Sequence, residues 1–312
     1  MAHTASWLAL GALVALTSSG CSIRRIAVNK VGDALAAGGA SFASDDDPDL
    51  VKDAAPFSLK LMESLIAESP RHKGLRYATA SGFTQYAYAF VQLESEAIEN
   101  KDLAAATALR ERARRLYLRA RNHGLRGLEV TRPGLEQRLR NDARTAVKEL
   151  SARDVPLAYW TAAAWAASIS VSKDNPEAVA DLPIAEALMD RALDLDEKYG
   201  EGAIHSFMIT YEMSRQGAPG DPAVRSRRHF DRAVELSGGQ RAGPFVALAE
   251  AVSVPKQNRT EFESLLKRAL AINPDTKPEW RLENLVMQKR ARWLLGRVDD
   301  LILPPLPPEE KP

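Results

Sequence analysis

A four-residue pattern recurs along this chain and limits what it can fold into. A large apolar residue, one variable residue and then Arg-Ala occur as Tyr117-Leu118-Arg119-Ala120, Met189-Asp190-Arg191-Ala192, Phe230-Asp231-Arg232-Ala233 and Leu266-Lys267-Arg268-Ala269. The anchor alanines lie 72, 41 and 36 residues apart. The shorter intervals each hold one helix-turn-helix unit with a small insertion, and the longest holds about two units. The last unit closes on Ile272-Asn273-Pro274, where proline ends the helix, and Leu65 stands at the same distance from Pro70. A small residue at a fixed place in each unit lets two helix backbones approach. The composition agrees, with 45% hydrophobic residues, abundant alanine and only 6% aromatic residues.

These units resemble the tetratricopeptide repeat, and the expected fold is an all-α, tetratricopeptide-like helical-repeat solenoid with extra capping helices. Partner helices fall between the anchors over Pro156–Val171, Gly202–Arg215 and Gly243–Val254, with an extra helix over Pro133–Ala152. Insertions are expected at Ser172–Pro183 and Gln216–Pro222. Ahead of them, Asp49–Glu68 should bury Phe57, Leu61 and Leu65, spaced i, i+4, i+8. Asp47 should cap that helix, with Pro48 at its first position. Leu103–Asn122 is a further amphipathic helix, punctuated by Gly124 and Gly127. The final helix, Pro278–Gly296, is expected to cap the stack with a polar outer face.

The first twenty residues form a targeting segment. Trp7–Leu16 is apolar but too short to span a bilayer, and it leads through Thr17-Ser18-Ser19-Gly20 into Cys21, the only cysteine. This resembles a bacterial lipoprotein signal, with Cys21 as the lipidated residue, and a plain secretory signal is the alternative. Ser22 rather than Asp follows, which favours the outer membrane. The expected organisation is a signal peptide over 1–20, a tether over 21–43, the helical domain over 44–298 and a proline-rich tail over 299–312.

The stretch Arg71–Asn100 reads as one long helix with two adjoining stripes. Phe83, Tyr86, Ala87 and Phe90 form the first, and Gln85, Tyr88, Ala89 and Gln92 the second. One stripe faces the neighbouring layer. The other then has aromatic faces with amide and phenol groups free to line a cleft, which makes Gln85, Tyr86, Tyr88 and Gln92 the candidate ligand-binding residues. Catalytic signatures are absent: there is no phosphate-binding Gly-rich loop, no Gly-x-Ser-x-Gly and no His-Glu-x-x-His. His72, His123, His205 and His229 are scattered singly and read as packing or surface residues. A formal net charge of +1 gives no reason to expect nucleic acid as a partner. No enzyme activity, metal or cofactor is expected.

The blocks Gly38–Pro48, Pro56-Phe57-Ser58-Leu59-Lys60 and Ser81-Gly82-Phe83-Thr84-Gln85-Tyr86-Ala87-Tyr88 resemble the T component (TatT family) associated with tripartite ATP-independent periplasmic (TRAP) transporters. The resemblance implies a periplasmic lipoprotein, a homotrimer, a channel or cleft through each protomer, and a complex with the transporter's solute-binding protein. The expected function is that of an accessory to TRAP-type transport, with a small hydrophobic or organic-acid ligand in the cleft. The alternative is a helical-repeat scaffold lipoprotein for envelope protein assembly.

Overall fold

Seven α-helices among the described residues begin at a side chain that accepts hydrogen bonds from the free N–H groups of the first turn. Asp47 Oδ1 accepts from the Asp49 and Leu50 amides at 3.0 Å each, and Pro48 takes the first position of the helix. His72, Asp102, Asp142, Asn175, Asp221 and Asn258 open later helices in the same way. The structure, a computed structural model, describes residues 28–35 and 39–303. The leader, Cys21 and the Pro304–Pro308 run lie outside the described residues.

Residues 28–35 are helical. The elements that follow are α1 (Gly39–Ala43), α2 (Pro48–Glu68), α3 (Lys73–Ala87), a π-helical turn (Tyr88–Gln92) and α4 (Leu93–Ile98). Then come α5 (Leu103–Glu129), α6 (Leu135–Asn141), α7 (Ala143–Ala146), α8 (Val155–Ser170), α9 (Pro176–Ala180) and α10 (Leu182–Leu195). The last group is α11 (Ala203–Tyr211), α12 (Pro222–Leu236), α13 (Gly243–Leu248), a second π-helical turn (Ala249–Ser253), α14 (Arg259–Ala271), α15 (Arg281–Leu295) and α16 (Val298–Leu301). The fold is all-α, with no strand among the described residues.

Packing follows chain order. α2 lies on α3, α3 on α5, α5 on α8 and α8 on α10; further on, α11 lies on α12, α13 on α14 and α14 on α15. The four anchor alanines, Ala120, Ala192, Ala233 and Ala269, are all buried. α15 departs from this order, because it also touches α1 and α2. The chain therefore closes on itself, and α15 is packed on two sides where a terminal cap would leave its outer face free.

Several local expectations give way to tertiary packing. α2 buries Val51, Leu59, Met62 and Ile66, whereas Phe57 is 73% exposed, Leu61 38% exposed and Leu65 only partly buried. Apolar residues occupy two stripes of α2, and the neighbouring helices cover the other one. α5 runs straight through Gly124 and Gly127, which mark contacts between helices and not a helix end. A Cβ at Gly124 would lie 2.1 Å from Thr161 Oγ1 of α8, and one at Gly127 would lie 2.8 Å from Leu157 Cδ2. The segment expected as one helix over 133–152 breaks at Asp142, which ends α6 and caps α7. At the start of the segment expected as tail, Val298–Leu301 is helical, Ile302 is buried and Asp299 pairs with Arg259 at 2.6 Å.

The α5–α8 crossing is directly testable. Gly124→Ala should destabilise the protein by about 1–3 kcal/mol, because one methyl group overfills a site with no slack. Adding Thr161→Ala should recover part of that loss, and denaturant unfolding of the single and double variants measures the coupling. Purely additive effects would show that the helices do not meet there.

Candidate functional site

Most of the first stripe is buried: Phe83, Tyr86 and Ala87, joined by Val91 of the π turn, pack with Ala113, Tyr117 and Ala120 of α5, while Phe90 is only partly buried. The second stripe meets a cavity of about 470 Å³. Its walls come from α2 (Val51, Leu59, Met62), α3 and the π turn, α15 (Leu282, Glu283, Val286, Met287), Phe42 of α1 and Trp160 of α8. Closure of α15 onto α1 and α2 makes this a cavity where an open stack would leave a groove. Gly82 keeps two walls together, since a Cβ there would fall 2.7 Å from Leu59 Cδ2.

The π turn shapes the inner wall. The Leu93 amide bonds to the Tyr88 carbonyl oxygen five residues back, which widens the helix locally. Gln85, Tyr86, Tyr88, Ala89 and Phe90 all line the cavity, more of the circumference than one face of a regular helix presents. Tyr88 is 36% exposed, and that exposure is onto the cavity. Burial, with Glu250 nearby, pushes its phenol well above the ordinary tyrosine range, so it stays protonated.

Of the four candidate ligand residues, Gln85, Tyr86 and Tyr88 are brought to the cavity wall and Gln92 is not. Gln92 Oε1 accepts from the Tyr117 hydroxyl at 2.6 Å, and its Nε2 donates to Glu96 Oε1 at 3.0 Å. Glu96 and Glu250 then each meet Arg290 of α15 at 2.6 Å. Burial works against the charge on Arg290, but Glu250 and Glu96 hold its pKa above the ordinary value. Burial also raises the Glu250 carboxyl, with Arg290 opposing that shift. The result is a polar chain from the core of α5, through the first π turn, to α15 and the second π turn. The polar chain as a whole is not visible in the sequence, because its members lie up to 198 positions apart.

A second polar cluster joins residues that read as isolated in the sequence. His205 Nδ1 of α11 and His229 Nδ1 of α12 are 2.8 Å apart, so one ring donates and the other accepts. His205 Nε2 lies 3.4 Å from Glu197 Oε2 without hydrogen-bonding geometry, and His229 Nε2 lies 4.0 Å from Glu212 Oε1. Burial, together with the His205 charge, pulls His229 down to about 4, and burial also lowers His205. No group of three or more His, Cys, Asp or Glu side chains is placed to hold a metal ion among the described residues.

The fold and cavity define a helical protein that bends its last long helix back over its first to form one mostly apolar, half-open chamber. Residues 44–302 match the model of the TRAP transporter T-component family, and the chain belongs to that family. It is 28% identical over 306 residues to a protein of Treponema pallidum (strain Nichols) whose name reads "Uncharacterized protein"; the match covers 92% of this chain and 95% of that one.

The histidine pair predicts a pH dependence with a definite sign. Folded-state values below the unfolded one, near 6.5, mean that the unfolded chain binds more protons as pH falls. Stability should therefore drop between about pH 6.5 and pH 4, by on the order of 3 kcal/mol when His229 is fully charged. Melting temperatures of wild type and His229→Gln across this range check it, and the variant should show the shallower slope. Equal slopes would place the acid sensitivity elsewhere.

Proposed function

We propose that the protein is a periplasmic lipoprotein serving a TRAP-type transport system, anchored through Cys21 and engaging the system's solute-binding protein. Its family membership supports the transport role. The leader before a lone cysteine supports the anchor, since multiple acyl chains hold a protein stably at a membrane. Among the described residues no helix is long and apolar enough to cross a membrane. The observation that carries the reading is the half-open cavity, whose size lies in the range of small-molecule sites and whose walls include Gln85, Tyr86 and Tyr88. In this reading a small, mostly apolar ligand docks or passes there, and Gln92 holds the wall in place without touching it. No catalytic step is assigned.

Leu50, Phe57 and Leu61 share one exposed stripe of α2, with Leu50 58% exposed. An apolar stripe of this kind suits contact with another protein, either a further copy in a homotrimer or the solute-binding protein.

One fractionation experiment tests the anchor and the partner together. Wild type expressed with a TRAP-type solute-binding protein should sediment with membranes and carry that protein along. Cys21→Ser should move both to the soluble fraction, still co-eluting on size exclusion. A soluble wild type would contradict the anchor, and separate elution would contradict the partner.

A further inference from the structure

The charge pattern of the cavity narrows what it takes; this inference rests on the cavity reading above. Among the described residues, the charged side chains in its lining are Glu279 and Glu283, with no Lys, Arg or His. Glu279 is exposed and has no ion-pair partner among the described residues. Glu283 is held by Arg241 Nε at 3.1 Å and Nη2 at 2.5 Å. The remaining Arg241 nitrogen, Nη1, donates to the Gly200 carbonyl oxygen at 2.7 Å, so each of its three nitrogens makes a hydrogen bond within the protein. Behind Tyr88, Arg290 is shared between Glu96 and Glu250.

The lining itself thus carries two carboxylates and no cation among the described residues; behind it Arg241 and Arg290 are paired with carboxylates, and Arg112 reaches the wall only at the Tyr86 hydroxyl, at 3.4 Å. A ligand carboxylate would give up its water, meet no cation in the lining and lie among like charges. A hydroxyl, amide or ammonium group would instead find acceptors. Gln85 spends its Nε2 on the Ser81 carbonyl oxygen at 3.3 Å, which leaves its amide oxygen open. The Tyr88 hydroxyl has no hydrogen-bond partner among the described residues. The rest of the wall, Leu59, Met62, Val286, Met287 and Phe90 among it, matches an apolar body.

We propose that the cavity takes an uncharged or cationic amphiphile, an apolar chain or ring with a hydrogen-bond-donating head, and excludes the free carboxylate. Between the hydrophobic and the organic-acid ligand that the sequence left open, this selects the first and adds the character of its polar end.

Three eight-carbon probes test this on the whole chain: octanol, octylamine and octanoate, titrated calorimetrically at pH 7.5 and in competition with the neutral dye N-phenyl-1-naphthylamine. Octanol and octylamine should bind, and octanoate should bind at least about tenfold more weakly, a difference of about 1.4 kcal/mol. Glu279→Gln, at an exposed position with no partner to lose, should strengthen octanoate and weaken octylamine several-fold while leaving octanol within about twofold. Octanoate binding as tightly as octanol would overturn the proposal and leave the cavity reading standing. Failure of all three probes and of the dye to bind would overturn both.

Discussion

Arg290 is the tie on which the architecture depends. A helical array built in chain order has two free ends and an open groove. Here α15 returns to α1 and α2, and Arg290 fastens it to Glu96 of α4 and to Glu250 of the second π turn. An ion pair this far from water stabilises only when its geometry is good and its other polar atoms are engaged. Arg290 bonds both carboxylates through Nε and Nη2, and Glu96 accepts in turn from Gln92, whose amide oxygen accepts from Tyr117. Hydrogen bonds to uncharged partners reinforce the closure. Arg281 Nη1 donates to the Ser44 carbonyl oxygen at 2.9 Å, the Ala242 amide donates to Asn284 Oδ1 at 2.8 Å, and Gln288 Nε2 donates to the Ile272 carbonyl oxygen at 2.7 Å. The first of these seats α15 against the start of the chain and the other two hold it to the helices before it, and the cavity is the space left beneath it.

The two π turns belong to the same construction. Each adds a residue to a helical turn, at Tyr88–Gln92 and at Ala249–Ser253, and each brings a polar residue next to Arg290. Such insertions weaken local hydrogen bonding, so they persist where the surroundings hold them. In the first, the widened turn presents Tyr88, Ala89 and Phe90 to the cavity while Ala87 and Val91 stay in the core. Close packing elsewhere supplies the rigidity, most visibly where Gly124 lets α5 lie against Thr161 of α8.

Local chemistry was legible in the sequence, and choices made between distant segments were not. The Asp47 cap, the proline-ended helices and the four anchor alanines follow from short-range rules, and the structure has the cap and buries the alanines. The two stripes around Phe83 and Tyr88 were legible as well, but the structure divides them unevenly: Tyr86 and Phe90 of the first also line the cavity, and Gln92 of the second does not. Phe57 and Leu61 misled because α2 carries more apolar residues than its neighbours cover, and no rule internal to the helix says which stripe they meet. Gly124 and Gly127 misled because glycine serves both helix ends and helix crossings. The closure by α15, the Arg290 chain and the His205–His229 pair depend on contacts between segments that no local pattern encodes.

Hydrogen exchange of the whole chain, with and without N-phenyl-1-naphthylamine, tests the half-open cavity most directly. Exchange protection reports local opening, and a ligand held between two walls should slow both. Peptides spanning residues 85–90 and 282–287 should gain protection together, with α10 and α12 unchanged. Protection confined to one wall, or appearing only at the exposed stripe of α2, would contradict a ligand chamber walled by α15.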